Sequence, residues 1–330
     1  MLPAFELCRP STVEQAVEML AAAGPEAMVI AGGTDLIPNL QMGLFTPRVL
    51  VDLKGIAGLR ALSFHPQQGL VLGALVTLTE LCESALIQEH FPVLAQAAAS
   101  VAGPLQRNMG TLGGNLCLET RCVWYNQSAF WRRSLGGCLK KDGDICHVAP
   151  GGRRCWAVWS GDTAPALLAL DAEVEIVGPQ GTRRIPLANL YTNDGMRRLA
   201  LGPAELLARV HVPAAAAGRR GGYRKLRVRD SIDYPLAGVA VALDVDAAGI
   251  CRAARVALSA VNPAPRLVRE AAEWLPGRAY SPELAEEVAR AAIRTAKPLS
   301  TSASTPVYRR DMVRLFTRRM LEELWLRQSG

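Results

Sequence analysis

Eight cysteines occur in the 330 residues, and four crowd into one stretch: Cys122, Cys138, Cys146 and Cys155. The other four, Cys8, Cys82, Cys117 and Cys251, are scattered and read as small buried hydrophobes. Four clustered thiols can form disulfides, hold a zinc ion or hold an iron–sulfur cluster. The opening residues carry neither the basic stretch nor the apolar run of a secretory signal. No apolar run reaches the roughly 18 residues that span a bilayer. The expectation is a cytoplasmic chain, where thiols stay reduced and clustered cysteines bind metal or do catalysis. Structural zinc sites favour short Cys-x2-4-Cys knuckles. The spacing here is Cys-x15-Cys-x7-Cys-x8-Cys, with no knuckle. An iron–sulfur cluster asks for four converging thiolates at varied spacing. Spacing alone leaves zinc and [4Fe–4S] both open. His147, beside Cys146, is read as a neighbour of the site, because four cysteines complete a ligand set.

Two glycine turns form the second group. One is Ala31-Gly32-Gly33-Thr34-Asp35-Leu36, directly after the apolar run Ala27–Ile30. The other is Thr111-Leu112-Gly113-Gly114-Asn115. Small residues after a strand let backbone N–H groups point into a shared concavity that binds phosphate oxygens. Two such turns suit a diphosphate held from both sides, with Gly113 bare because the phosphate must approach there. Neither matches Gly-x-Gly-x-x-Gly or Gly-x4-Gly-Lys-Ser/Thr, which argues against a Rossmann dinucleotide fold and an NTPase.

The elements that position these groups can be read from periodicity. Residues 12–23 repeat apolar positions at helical spacing and end at Gly24-Pro25. Strands are expected at 27–30 and 49–53, and a strand pair within 69–78. Residues 79–101 read as mostly helical. The cysteine stretch has no clear period, so it reads as an irregular insertion that a metal would order. A helix at 163–171 follows, then strands at 174–177, 223–229, 239–245 and 255–259, and two closing helices at 282–297 and 307–327. The length implies two or three domains. An apolar fraction of 50% and a charged fraction of 20% suit ordinary globular cores. The net charge of +7, with arginines gathered near the C-terminus, reads as a solvated face or one that meets an acidic partner. Nucleic-acid binding is not indicated, since no such motif accompanies the charge and aromatics are only 5%.

The segments Val29–Leu36 and Arg107-Asn108…Thr111–Asn115 resemble the flavin subunit of the molybdenum hydroxylases, the group that includes xanthine dehydrogenase and carbon monoxide dehydrogenase. The similarity extends to Gly161–Leu167, Pro203–Leu207 and Tyr223–Arg227. It implies an α+β chain with a vanillyl-alcohol-oxidase-like (PCMH-type) FAD-binding domain in two α/β subdomains. Residues 1–55 form the first and 56–175 the second, with an insertion at about 119–158. A C-terminal domain, 176–330, has an antiparallel sheet and helices. By the same resemblance Val29, Ile30, Ala31, Gly32, Gly33, Thr34, Asp35, Leu36, Thr111, Leu112, Gly113, Gly114 and Asn115 line FAD, joined by Val101, Asp162, Leu207 and Lys225.

The string Thr120–Ser128 followed by Trp131-Arg132, with the later cysteine spacing, is similar to one branch of that family, the β subunit of 4-hydroxybenzoyl-CoA reductase. In that branch four cysteines hold an extra [4Fe–4S] cluster, which implies Cys122, Cys138, Cys146 and Cys155 as its ligands. Flavin subunits of bacterial aldehyde oxidoreductases carry a comparable insertion at different spacing. The resemblance implies an electron-transfer subunit with no catalytic residue of its own. Its partners would be a molybdopterin-binding large subunit and a [2Fe–2S] small subunit in a dimer of heterotrimers, with ferredoxin or another electron carrier outside and no nucleic acid or membrane. The alternative within the family is the flavin subunit of an aldehyde or xanthine/N-heterocycle dehydrogenase. Two rivals from other classes are a stand-alone flavin oxidase and a nucleic-acid-binding iron–sulfur or zinc protein.

Overall fold

The structure is a computed structural model that describes residues 2–327. It opens with a small parallel sheet. Strands β1 (Glu6–Cys8), β2 (Ala27–Ile30) and β3 (Val49–Asp52) lie in the order β1-β3-β2. Helix α1 (Val13–Ala23) makes the crossover between β1 and β2. Thr12 caps it, accepting from Gln15 N at 3.2 Å. Its buried face, Ala16, Val17 and Leu20, packs on Val51 and Leu53. The short helix α2 (Leu36–Gln41) follows the first glycine turn.

A second sheet is antiparallel, in the order β4-β5-β8-β6-β7. Its strands are β4 (Leu62–His65), β5 (Gly69–Gly73), β6 (Glu173–Gly178), β7 (Gly181–Pro186) and β8 (Leu206–Val212). The strand pair expected within 69–78 is instead β4 with β5. Leu62-Ser63-Phe64-His65 alternates as a half-buried strand should, whereas Ala74–Thr77 leaves the sheet for the second glycine turn. Between β5 and β6 run α3 (Leu78–Glu83), α4 (Ala85–His90), α5 (Pro92–Ala99), α6 (Pro104–Met109), α7 (Leu112–Leu116), α8 (Ala129–Ser134) and α9 (Thr163–Ala169).

A third sheet, ordered β12-β11-β10-β9, comprises β9 (Arg220–Leu226), β10 (Ala237–Val245), β11 (Cys251–Ser259) and β12 (Arg266–Leu267). Helices α10 (Arg269–Trp274), α11 (Pro282–Thr295) and α12 (Pro306–Trp325) complete it. Strand β10 is buried on both faces, and its alternation shows how the layers meet. Ala240 and Ala242 join the core around α5 and α9, where small side chains let the fully buried α9 and the apolar face of α5 approach. Val239, Val241 and Leu243 face the core of α11 and α12.

The boundary expected at 175/176 falls inside β6. Strands β6–β8 pair back onto β5, so the change of sheet comes between Val212 and Arg220. No helix of the described residues is long and apolar enough to cross a membrane.

Candidate functional site

The two glycine turns meet, but they differ in construction. The first leaves β2 and turns into α2 through Gly33, whose φ of 73° suits glycine. A Cβ on Gly32 would lie 1.7 Å from the carbonyl oxygen of Met109, so only hydrogen fits where this turn touches the end of α6. Among the described residues, no hydrogen bond uses the amides of Gly32, Gly33, Thr34, Asp35 or Leu36. They form a run of free donors at a helix start, the arrangement that accepts an anion.

The amides of the second turn are already engaged. Leu112 N donates to Val76 O at 2.8 Å, Gly113 N to Ala74 O at 2.9 Å, and Gly114 N to the Thr111 hydroxyl at 3.1 Å. The expectation that Gly113 is bare for a phosphate is corrected here. A Cβ there would meet Cβ and O of Ala74 at 2.8 and 2.9 Å, so this glycine lets α7 pack against the strand exit. The Asn115 side chain accepts from Thr163 N at 3.1 Å and from its hydroxyl at 2.6 Å, tying the turn to the start of α9.

The turns border a cleft of about 740 Å³. Val29 through Leu36 line it, with Val101, Thr111, Gly113, Gly114, Asn115, Asp162 and Leu207. Two of the expected residues stand back. Leu112 is wholly buried in the core. Lys225 lies behind Asp162, its Nζ 3.0 Å from the carboxylate and 3.0 Å from Ser100 O. Both side chains of this pair are 4% exposed. The Tyr223 hydroxyl donates to the same carboxylate at 2.7 Å. Burial pushes the Asp162 carboxyl above its usual range, against the pull of Lys225 and Tyr223.

Sequence reading missed Glu119, Arg198 and Tyr234, which also line the cleft. Glu119 is 3% exposed and receives Lys140 from within the cysteine insertion and Arg198 Nη1 at 3.2 Å. Burial would raise its carboxyl, but Lys140 and Arg198 overcome this and hold it below the usual range. Asp35 makes a second link. It accepts from Glu119 N at 3.3 Å and Tyr234 OH at 3.2 Å, and faces Arg121 at 3.5 Å. Arg121 in turn stacks over the Tyr234 ring at 4.3 Å. No local pattern announces these residues, because the fold gathers them from positions far apart in the chain.

The cysteine insertion leaves and rejoins the body through one antiparallel bridge, Arg121 with Val158, whose two hydrogen bonds are each 2.8 Å. Cys122, Cys138, Cys146 and Cys155 are all free and buried. Burial pushes the Cys122 thiol up to about 12, and Cys155 and Cys138 add to the rise. Burial likewise lifts Cys155 to about 11, helped by Cys146 and Cys138. Cys122 thus lies within electrostatic reach of Cys155 and Cys138, and Cys155 within reach of Cys146 and Cys138. Ala157 N donates to the Cys155 sulfur at 3.4 Å. Lys140 sits 4.4 Å over the Tyr125 ring. Among the described residues no three Cys, His, Asp or Glu side chains are grouped to hold a metal ion. A polynuclear cluster spreads its thiolates over its corners, and four buried thiols with an N–H donor and a cation nearby suit that chemistry. His147 stands apart, bonded to Gly137 O at 2.7 Å and stacked on Trp124 at 4.9 Å. Cys117, half-buried, lines the cleft bordered by the glycine turns instead of the insertion.

Comparison with known proteins agrees with this geometry. Residues 3–215 match the family described as FAD binding domain in molybdopterin dehydrogenase, and 222–324 match CO dehydrogenase flavoprotein C-terminal domain. The chain is 34% identical over 273 residues to the aldehyde oxidoreductase FAD-binding subunit PaoB of Escherichia coli, covering 80% of this chain and 83% of that one. It is 28% identical over 326 residues to the carbon monoxide dehydrogenase medium chain of Hydrogenophaga pseudoflava, covering 98% of each. A solved structure of carbon monoxide dehydrogenase from Hydrogenophaga pseudoflava superposes with a TM-score of 0.81 at 27% identity over 100% of both chains. The fold is thus the PCMH-type FAD-binding fold with its C-terminal domain, and the chain belongs to the FAD-binding medium subunits of the molybdenum hydroxylase family.

Proposed function

We propose that this oxidoreductase subunit carries a [4Fe–4S] cluster beside its FAD and moves electrons between an external carrier and a catalytic centre on another chain. The observation that carries this reading is the neck. Glu119 lines the flavin cleft and also pairs with Lys140 inside the cysteine insertion, so the two sites share one buried carboxylate. In this reading the free amides of Gly32 through Leu36 hold the FAD diphosphate. The Asp162–Lys225 pair gives the cleft a fixed polar wall, and Cys122, Cys138, Cys146 and Cys155 hold the cluster. FAD exchanges electrons singly or in pairs, whereas an iron–sulfur cluster passes one at a time. The chain's own residues bind, orient and exclude water.

The partners in this proposal are a molybdopterin-binding large subunit and a [2Fe–2S] small subunit in a dimer of heterotrimers. Resemblance of the Thr120–Ser128 string supports the β subunit of 4-hydroxybenzoyl-CoA reductase. There, two electrons from ferredoxin and two protons convert 4-hydroxybenzoyl-CoA to benzoyl-CoA and water. A second reading, the flavin subunit of an aldehyde oxidoreductase, draws on the 34% identity to the Escherichia coli subunit. The assembled complex, purified anaerobically, separates them. Loss of the phenolic hydroxyl with reduced ferredoxin supports the reductase. Aldehyde oxidation without that activity supports the second reading. Turnover by the isolated chain would refute both.

A further inference from the structure

A second cavity, of about 670 Å³, opens where the cysteine insertion meets the C-terminal sheet and helices. It shares no lining residue with the flavin cleft. Its walls bring together Arg154 from the insertion, Arg266 from β12, Arg269 from α10, Arg294 from α11, Lys297 just beyond it and Arg310 from α12. The carboxylate on these walls is Glu270, which faces Arg294 at 3.5 Å. Among the described residues, no carboxylate lies within ion-pair range of Arg154, Arg266, Arg269, Lys297 or Arg310. Like charges around one concavity repel, and the concave walls concentrate their field, so an anion inside relieves the strain.

One further feature narrows the anion. The Arg154 guanidinium lies 3.8 Å over the Trp156 ring, which gives the cavity a flat cationic and aromatic wall. The volume suits a small molecule, since such sites span about 300–1,000 Å³. We infer that this cavity binds a nucleoside phosphate. Its phosphates meet the arginines and Lys297, and its base or sugar meets the wall formed by Arg154 and Trp156.

Isothermal titration of the full-length, FAD-saturated chain with ADP and with inorganic pyrophosphate tests the inference. ADP should bind one site per chain, more tightly than pyrophosphate. Arg266→Glu with Arg310→Glu should weaken it about tenfold or more at unchanged flavin content. Should that variant fold poorly, Arg266→Gln with Arg310→Gln should give a smaller loss in the same direction. Trp156→Leu should weaken ADP but not pyrophosphate. No ADP binding by the wild type at low ionic strength overturns the inference, as does ADP binding that the arginine variants leave unmoved. Equal affinities for both ligands with no effect of Trp156→Leu would mean a nonspecific anion trap. Loss of association with partner chains in the variants, without ADP binding by the wild type, would reassign the cavity to a protein interface.

Discussion

Around the flavin cleft the chain buries Leu75, Leu78, Leu206 and Leu207, and strands, helices and turns fix its walls. Around the thiols the apolar support is smaller: Leu44, Tyr125, Ala157, Cys122, Cys138 and Cys155, with Met42, Phe45, Trp124 and Val148 partly buried against them. The insertion also relies on left-handed residues, Gly136, Gly137, Asp142 and Gly151, to reverse a chain with only one short helix, α8. The contrast teaches where a cofactor is a guest and where it is a structural member. The cleft is shaped by burial that needs no ligand, while in the proposed reading metal ligation would supply order that a small core cannot.

The comparison breaks most sharply at Gly32. Gly32→Val drives a side chain into the Met109 carbonyl, and the donor turn and α6 must separate. FAD content should fall to roughly a tenth or less, since preformed donors are lost, while iron in the insertion stays. Absorbance of flavin and iron per chain checks this, and retained FAD would contradict the cleft's construction. A smaller effect is expected at Lys225→Met. Removing the cation leaves Asp162 buried with the Tyr223 hydroxyl alone, at a cost of about 3–5 kcal/mol in urea melts. A loss below about 1 kcal/mol would mean the pair is not buried in solution.

The smallest effect is expected at the neck. Glu119 titrates below its unfolded value, so its contribution is present above the ordinary glutamate pKa of about 4.3 and is lost as pH falls through the lower folded value. Glu119→Gln should cost about 1–3 kcal/mol at neutral pH. It should also flatten the fall of stability over that acidic window, read by melts at stepped pH. An unchanged acid slope would show that Lys140 and Arg198 do not engage Glu119.

Much of the fold is legible in the sequence, for local reasons. The runs at 27–30 and 49–53 read as strands because an apolar stretch before a turn leaves few alternatives, the second ending at Asp52 in the structure, and α1, α11 and α12 read from their apolar spacing. The cleft residues before α2 were legible as a glycine turn after a strand. What was not legible is long-range. Gly113 reads as a phosphate turn, but Ala74, 39 positions earlier, packs against it and sets its role. Glu119, Arg198 and Tyr234 carry no local signal and become a site when three segments converge. The basic C-terminal residues read as a solvated face or one that meets an acidic partner; of them Arg310 borders a cavity together with Arg266 and Lys297.

The central claim, that the insertion is organised by a cluster held on four thiolates, is tested most directly by iron analysis and low-temperature EPR on anaerobically purified chains. The wild type should carry FAD with about four irons per chain and a [4Fe–4S] signal on reduction. Cys138→Ser should lose that signal and become protease-sensitive between 122 and 155 while retaining FAD, and Cys117→Ser should behave as the wild type. Four irons persisting in Cys138→Ser, or zinc in place of iron in the wild type, would contradict the account.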